Sequence, residues 1–593
     1  MSWFKYFSIF LLLVFLLPHE TNASKSPPNI VFIVADDLGW NDVGFHGSRE
    51  IPTPNIDALA YSGVILNNYY VQPICTPSRS AIMSGLNPIH TGLQHATIGA
   101  PRPYGLPLAV KVLPQYLKES GYITQAVGKW HLGFYQKEFT PTWRGFDSHY
   151  GYWSGRVDYY DHTAAEDGHM WGYDFRRDMN VARDAYGIYA TDLFTTEALS
   201  IISVHNTSRP LFLYLAHLAV HSGNPYSPLQ APQDYVNKFL YIKDERRRKF
   251  AAMLTKLDDS VGAVVTALRE RNMLDDSIIV FTTDNGGPAG GFNDNAASNW
   301  PLRGVKASMW EGGVRGSAFV WGPNFVSQPP GTVSDQLYAI EDWLPTLHYI
   351  AGGEAGQLPP LDGVNIWPSL SSGAPSPRQH LLHSIDPVFD GAAVRSGDWK
   401  LLFNPSGYET YWDRWFGPSG RNETAPETDL SLLIRKIRES PAGVAVLQKN
   451  PDALDNITRS RNAAMVNCTA TPDEPSFVCR GANLSSACLF HIPSDPCEQN
   501  NVASENTDVL NVLLQLTSQY NSTAVPILNA PLDPIANPKY WNYNWNNWLD
   551  FPPPPGVNAS QLRLEAQESM GLNENLFDVF RFTRKSSAVI SAP

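Results

Sequence analysis

Positive charge is in short supply. Lys and Arg number 44 against 57 Asp and Glu, a net charge of −13 over 593 residues. That balance argues against nucleic acid as a partner and leaves room only for a locally basic pocket. Long apolar runs are scarce as well. Beyond the first residues no uninterrupted apolar stretch approaches the ~20 residues that cross a bilayer, so no transmembrane anchor is expected. No internal repeat is present, and cysteine occurs only five times.

What is there begins with a leader. Lys5 precedes an apolar run from Phe7 to Leu17, and Thr21-Asn22-Ala23 suits cleavage near Ala23. Residues 1–23 are therefore expected to be a signal peptide, which places the chain in the secretory pathway, bound for the lysosome or the extracellular space. Asn-x-Ser/Thr sites at Asn206, Asn422, Asn456, Asn467, Asn483, Asn521 and Asn558 crowd the last third and fit a glycosylated surface. In such a compartment Cys468, Cys479, Cys488 and Cys497 read as two disulfides. Three pairings exist, and the simplest joins Cys468 to Cys479 and Cys488 to Cys497. Cys75, alone far upstream, is then free for chemistry.

The length exceeds one ordinary core, so two domains are expected, residues 24–375 and 376–593. The run Asn29 to Ala35 is apolar throughout and ends in Asp36-Asp37, which predicts a central strand buried on both faces. Thr53-Pro54 predicts a helix to Ser62 with threonine as its cap, and Val64 to Tyr70 a strand. Helices are expected over 110–120, 191–204 and 244–271, and strands over 122–127, 210–217, 277–283 and 317–321. The aromatic, Gly-rich stretch from Phe134 to Tyr173 reads as loop. Arg246-Arg247-Arg248-Lys249 reads as a solvated face of the long helix. This alternation predicts an α/β fold with a large, mostly parallel sheet flanked by helices.

After Ser371 to Pro377 the pattern changes. Leu381 to Ile385 and a hairpin of Ala392–Arg395 with Trp399–Phe403, turning at Ser396-Gly397-Asp398, predict a smaller C-terminal domain with an antiparallel sheet. Residues 405–487 are polar and sequon-rich, and no regular structure is expected there. Asp508 to Tyr520 predicts a closing helix. The tail from Trp541 to Pro555 is expected to pack over the body or the cleft.

Two strand ends deliver acids: Asp36 and Asp37 from one, Asp284 and Asn285 from another. Open α/β sheets bind their ligands at such ends, and this all-oxygen set suits calcium (Ca²⁺) or Mg²⁺ rather than zinc. A lone Asp-Asp pair is as often a loop or helix cap, but two pairs at buried strand ends are not. Arg79, Lys129, His131, His221 and Lys306 form a cationic set fit to hold an oxyanion. Lys129 and His131, two apart, point to one side if the chain is extended there.

Cys75-Thr76-Pro77-Ser78-Arg79, continuing to Gly85, resembles the signature of the sulfatase family. In that signature the cysteine is oxidised to formylglycine before folding. Gly128 to Gly133, Asp284 to Gly287 and Pro301 to Gly316 look like the family's further signature blocks. The run is most similar to the arylsulfatase B, or N-acetylgalactosamine-4-sulfatase, type. The likeness spans roughly Asn29 to Phe403 and resumes at Leu489 to Pro496. It departs in the sequon-rich insertion and in the four C-terminal cysteines. The resemblance implies an alkaline-phosphatase-like sulfatase fold and hydrolysis of sulfate esters, on sulfated glycans in the first instance. It implies a divalent metal at Asp36, Asp37, Cys75, Asp284 and Asn285, and formylglycine at position 75 made by a formylglycine-generating enzyme. By the same resemblance, Lys306 and His221 bind sulfate and protonate the leaving alcohol. His131 serves as base for the second hydroxyl of the hydrated aldehyde, and Arg79 and Lys129 stabilise that hydrate and the metal cluster.

Other readings are a sulfatase of a small metabolite such as a glucosinolate and a phosphate or phosphonate ester hydrolase on the same fold. An inactive binder of sulfated glycans is the reading from another class, and the full set of acid, base and ligand groups weighs against it.

Overall fold

In the computed structural model, residues 27–166, 170–407, 410–421, 425–468, 476–482 and 486–571 are described. The proposed leader, Asn422 and Asn483 lie outside them. The other sequons, Asn206, Asn456, Asn467, Asn521 and Asn558, are exposed.

A ten-stranded sheet carries the large core. In chain order its strands are β1 (Asn29–Ala35), β2 (Val64–Leu66), β3 (Ile123–Lys129), β4 (Ser148–Tyr152) and β5 (Arg176–Arg177). They continue with β6 (Asn180–Val181), β7 (Leu211–Ala216), β8 (Ser277–Thr283), β9 (Ala318–Trp321) and β10 (Thr332–Ser334). Across the sheet the order is β10-β2-β9-β8-β1-β7-β3-β4-β5-β6. The central strands β8, β1, β7, β3 and β4 run parallel, while β9 is antiparallel to β8 and β2. Every residue of β1, β7 and β8 is buried, as continuous apolar strands covered on both faces must be.

Register fixes where chemistry can occur. Ala35 pairs with Thr283, Val34 with Ala216, and Ala216 with Gly128. Four parallel strands therefore end level, and the residues after each of them emerge at one edge.

The flanking helices begin with α1 (Pro54–Ser62), α2 (Cys75–Ser84), α3 (Leu113–Glu119), α4 (Ala190–Val204), α5 (Glu245–Glu270) and α6 (Trp343–Ile350). Thr53 occupies the cap position of α1, but its hydroxyl accepts from Gly44 N instead (3.0 Å). Asp258 of α5 does the capping, accepting from Asn55 N (3.0 Å) and Ile56 N (2.8 Å). Gly85 closes α2 in the left-handed region (φ 66°), where its N–H reaches Ala81 O.

Further expectations are overturned. The stretch expected as loop contributes β4 to the main sheet, with His149, Tyr150, Gly151 and Tyr152 all buried, so no alternation betrays it. Residues 405–487 contain α7 (Leu430–Glu439), α8 (Pro441–Lys449) and α9 (Ile457–Ala464). Asp429 caps α7 and Ser440 caps α8, and α8 packs its buried Ala442, Ala445 and Val446 against α1 and α5. Arg247, taken as part of a solvated run, is buried between Asp42 (2.6 Å) and Glu50 (2.7 Å).

The C-terminal region holds a four-stranded antiparallel sheet, β11 (His380–Asp386), β12 (Gly391–Ser396), β13 (Trp399–Phe403) and β14 (Cys488–His491). Helix α10 (Thr507–Thr523) packs on β12 and β13. The aromatic tail lies on the body, with Trp545 and Trp548 buried edge-on against Phe134. The simplest disulfide pairing is also wrong. The bridges are nested, Cys468–Cys497 around Cys479–Cys488. Arg480 N bonds Ser486 O (2.8 Å), folding the segment back so that Cys479 meets Cys488 and leaves the outer two to each other.

Candidate active site

The level strand ends converge as the register requires. Asp36 and Asp37 leave β1, Lys129 closes β3, His221 follows β7, and Asp284 and Asn285 leave β8. All six are buried. Cys75 opens α2 beneath them, the one free cysteine among the described residues. Its Sγ lies 3.7 Å from Asp36 Oδ1.

Cations hold the carboxylates in place. Arg79, one turn along α2, donates to Asp284 Oδ2 through Nη2 (2.8 Å) and Nε (3.1 Å) and stands 3.5 Å from Asp36. Lys129 Nζ donates to Asp36 Oδ2 (2.6 Å). Lys306 Nζ donates to both oxygens of Asp37 (2.7 and 2.8 Å). Three carboxylates thus face three cations inside the protein, where such pairs are strong only if geometry is good.

The histidines are placed by their second nitrogens. His131 Nε2 meets Ile98 O (3.1 Å), so Nε2 carries the proton and Nδ1, buried and without a partner, keeps its lone pair. His221 Nδ1 donates to Ser222 O (2.6 Å), which turns Nε2 toward Asp37 Oδ2 at 3.5 Å. Extended backbone is not what brings Lys129 and His131 to the site. His131 has φ 61°, as does Asp37, and left-handed backbone at two non-glycine residues stores strain at one place. The sequence reading missed Thr76, whose hydroxyl donates to His131 O (3.2 Å) and accepts from Ile98 N (3.2 Å). Its position beside Cys75 was the only signal.

Burial sets the charges. It pushes the Cys75 thiol up to about 12 despite Lys129 and Lys306. Burial, then the Asp284 charge, lifts the Asp36 carboxyl above its ordinary range. Burial also works on Asp284, but Arg79, Lys129 and Lys306 outweigh it and hold that carboxyl low. Both histidines lie well below the ordinary value, first through burial and then through neighbouring lysines. Lys306 is raised, because Asp37 outweighs the effect of burial.

The donor set fits a hard divalent cation. Ligand atoms of Asp36, Asp37, Cys75 and His221 lie within 4.8 Å of one another. Asn285 Nδ2 donates to Asp37 (2.7 Å), and its Oδ1 is buried with no partner. A cation among these oxygens relieves the repulsion that lifts Asp36 and satisfies the orphaned amide.

The family profile described as Sulfatase matches residues 28–353. Arylsulfatase J of Mus musculus is 40% identical over 539 residues, covering 90% of this chain and 82% of that protein. N-acetylgalactosamine-6-sulfatase of Homo sapiens is 31% identical over 366 residues, 59% of this chain and 67% of that protein. Among solved structures, Ps i-CgsB superposes with a TM-score of 0.64 at 27% identity, covering 85% of this chain and 95% of that one. It has also been solved in complex with k-i-k-neocarrahexaose. With the profile matched over more than half its length and this cage at the sheet edge, the chain belongs to the sulfatase family of sulfuric ester hydrolases.

Proposed function

We propose that the chain hydrolyses sulfate esters of a sulfated glycan, with residue 75 matured from cysteine to formylglycine. In this reading Asp36, Asp37, Asp284, Asn285 and residue 75 hold a divalent cation, Ca²⁺ by the hardness of its donors. The supporting observation is the Cys75 sulfur, buried 3.7 Å from Asp36 within three carboxylates and three cations. A thiol pushed up to about 12 is not a thiolate at neutral pH, so unmodified cysteine is a poor nucleophile there. When present, the cation offsets negative charge on sulfate, and the hydrated aldehyde supplies the nucleophilic hydroxyl.

The remaining work falls to side chains of known placement. Arg79 and Lys129 fix the Asp36 and Asp284 carboxylates in orientation. Lys306 keeps its proton and donates from Nζ, first to a sulfate oxygen and then to the leaving alcohol. His221, whose Nδ1–H is held by Ser222 O, donates to the same sulfate from Nε2 only once the ring takes a second proton, which the charge of the bound sulfate favours. His131, neutral with a free Nδ1 lone pair, takes the proton from a hydroxyl of residue 75 in the second half of the reaction.

The substrate class follows from the relatives, one named for N-acetylgalactosamine 6-sulfate and one solved with a neocarrahexaose. The finer reading, an N-acetylgalactosamine-4-sulfatase type, rests on the signature blocks. Residues 24–375 form the catalytic domain and 376–593 the smaller one, matured by a formylglycine-generating enzyme on the way to the lysosome or the exterior. Initial rates on matched aryl sulfate and aryl phosphate, sulfated hexosamines and a glucosinolate test this. Sulfate and hexosamine sulfate should be turned over, with a loss of roughly a thousandfold or more in Cys75→Ala. Preference for phosphate, or full activity in that variant, contradicts it.

A further inference from the structure

The segment from Ser154 to Tyr159 threads between the two histidines of the site. Gly155 lies so near His131 that a Cβ there would sit 2.7 Å from ring atoms Cε1 and Nε2. Tyr159 donates its hydroxyl to His221 O (2.8 Å) and Leu218 O (3.2 Å). Arg156 stands between these anchors, its carbonyl held by Ser154 Oγ (3.0 Å).

The guanidinium of Arg156 is underused. Nη2 makes one long contact, 3.4 Å to Ala165 O, and Nε is buried with no partner. Among the described residues it makes no ion pair. Other buried arginines are held more firmly, some by several backbone carbonyls, as Arg144 and Arg303 are, and some by carboxylates. Arg79 has Asp284, Arg247 has Asp42 and Glu50, and Arg378 has Asp342.

Position separates Arg156 from the groups around Cys75. Lys129, Lys306 and His221 are sealed at 1%, 2% and 5% exposure, whereas Arg156 is half-buried. It is the most exposed of these cationic groups, and it sits on the segment that Gly155 lays against His131 and Tyr159 ties to His221 O. A guanidinium with one long protein contact keeps donors for the oxygens of a carboxylate or a sulfate.

We infer that Arg156 reads a second oxyanion, a carboxylate or a further sulfate, on the sugars beside the scissile ester. The substrate is then a polyanionic glycan, not a singly sulfated sugar or metabolite. The inference rests on the sulfate-ester reading above.

Three substrates sharing the hydrolysed ester test it: the monosulfated hexosamine, the same sugar with a second sulfate, and its disaccharide with a hexuronate. At fixed ionic strength, kcat/KM is compared for the wild-type enzyme, Arg156→Gln and Arg156→Lys, with calorimetric affinity for the desulfated products alongside. Wild type should favour at least one doubly charged substrate, and which one distinguishes sulfate from carboxylate. Arg156→Gln should lower the ratio of doubly to singly charged kcat/KM by roughly ten- to a hundredfold, the scale of a charge-assisted hydrogen bond. Arg156→Lys should recover part of it. No preference in wild type, or equal losses on all three substrates in Arg156→Gln, overturns the inference. If no sulfate ester is hydrolysed, the underlying reading fails, and product affinity then decides Arg156. Tighter binding of anionic products that is lost in Arg156→Gln sustains it, and indifference refutes it.

Discussion

A histidine sealed from water holds its proton weakly, and His217 shows this in simple form. It follows β7, is fully buried, and shares Nε2 with the Ser260 hydroxyl (3.2 Å). Burial alone brings it down to about 3. Its folded value lies below the ordinary 6.5, so the associated stability is complete above pH 6.5. That stability drains as pH falls toward 3, because only the unfolded chain takes the proton. Between pH 6.5 and 5 the loss is about 2 kcal/mol. Denaturant titrations of His217→Gln across that range should show a correspondingly flatter pH dependence, and an unchanged slope would refute the burial argument. At this scale the sequence announces a residue when a buried strand ends on it. Asp36, Asp37, Asp284 and Asn285 are legible for that reason. Thr76 is not, because it takes its place from neighbours distant in sequence, Ile98 and His131.

Helix α5 carries an error of the sequence reading that has a physical cause. Four adjacent basic residues look alike, but a helix turns each one to a different side. Arg246 and Lys249 face solvent, while Arg247 turns inward to Asp42, Glu50 and Ala296 O. Removing one member of a buried charge cluster strands the others. Arg247→Ala should therefore cost about 3–5 kcal/mol in urea unfolding, against roughly 0.5 or less for Arg246→Ala. Equal effects would mean that the buried cluster carries no special stability. Elements with apolar periods were legible, among them β1, β8 and the β12–β13 hairpin. Helix α7 does carry a readable apolar period, Leu430, Leu433, Ile434 and Ile437, and it was passed over because the sequon-rich, polar sequence around it masked it. The nested disulfides depend on a chain reversal between Cys479 and Cys488 that spacing does not encode.

Over the whole molecule, an acidic protein concentrates three cations and three carboxylates at one buried sheet edge. A divalent ion there binds only the folded state, so it stabilises by mass action, by ~3 kcal/mol at a hundredfold excess over Kd. Dialysis against a chelator should lower the thermal midpoint and the sulfatase rate together, and added Ca²⁺ should restore both. Recovery of neither, or loss of activity without loss of stability, would count against the ligand set. The broad architecture was legible because buried parallel strands carry a plain apolar signature. The order of strands across the sheet was not, since it is decided by packing among segments far apart in the chain. The central claim concerns residue 75, and it reduces to one mass. Peptide mass spectrometry of active protein from a eukaryotic secretory pathway should find the fragment containing residue 75 with sulfur and two hydrogens exchanged for oxygen. A fragment carrying only the intact thiol, in fully active enzyme, would contradict the account.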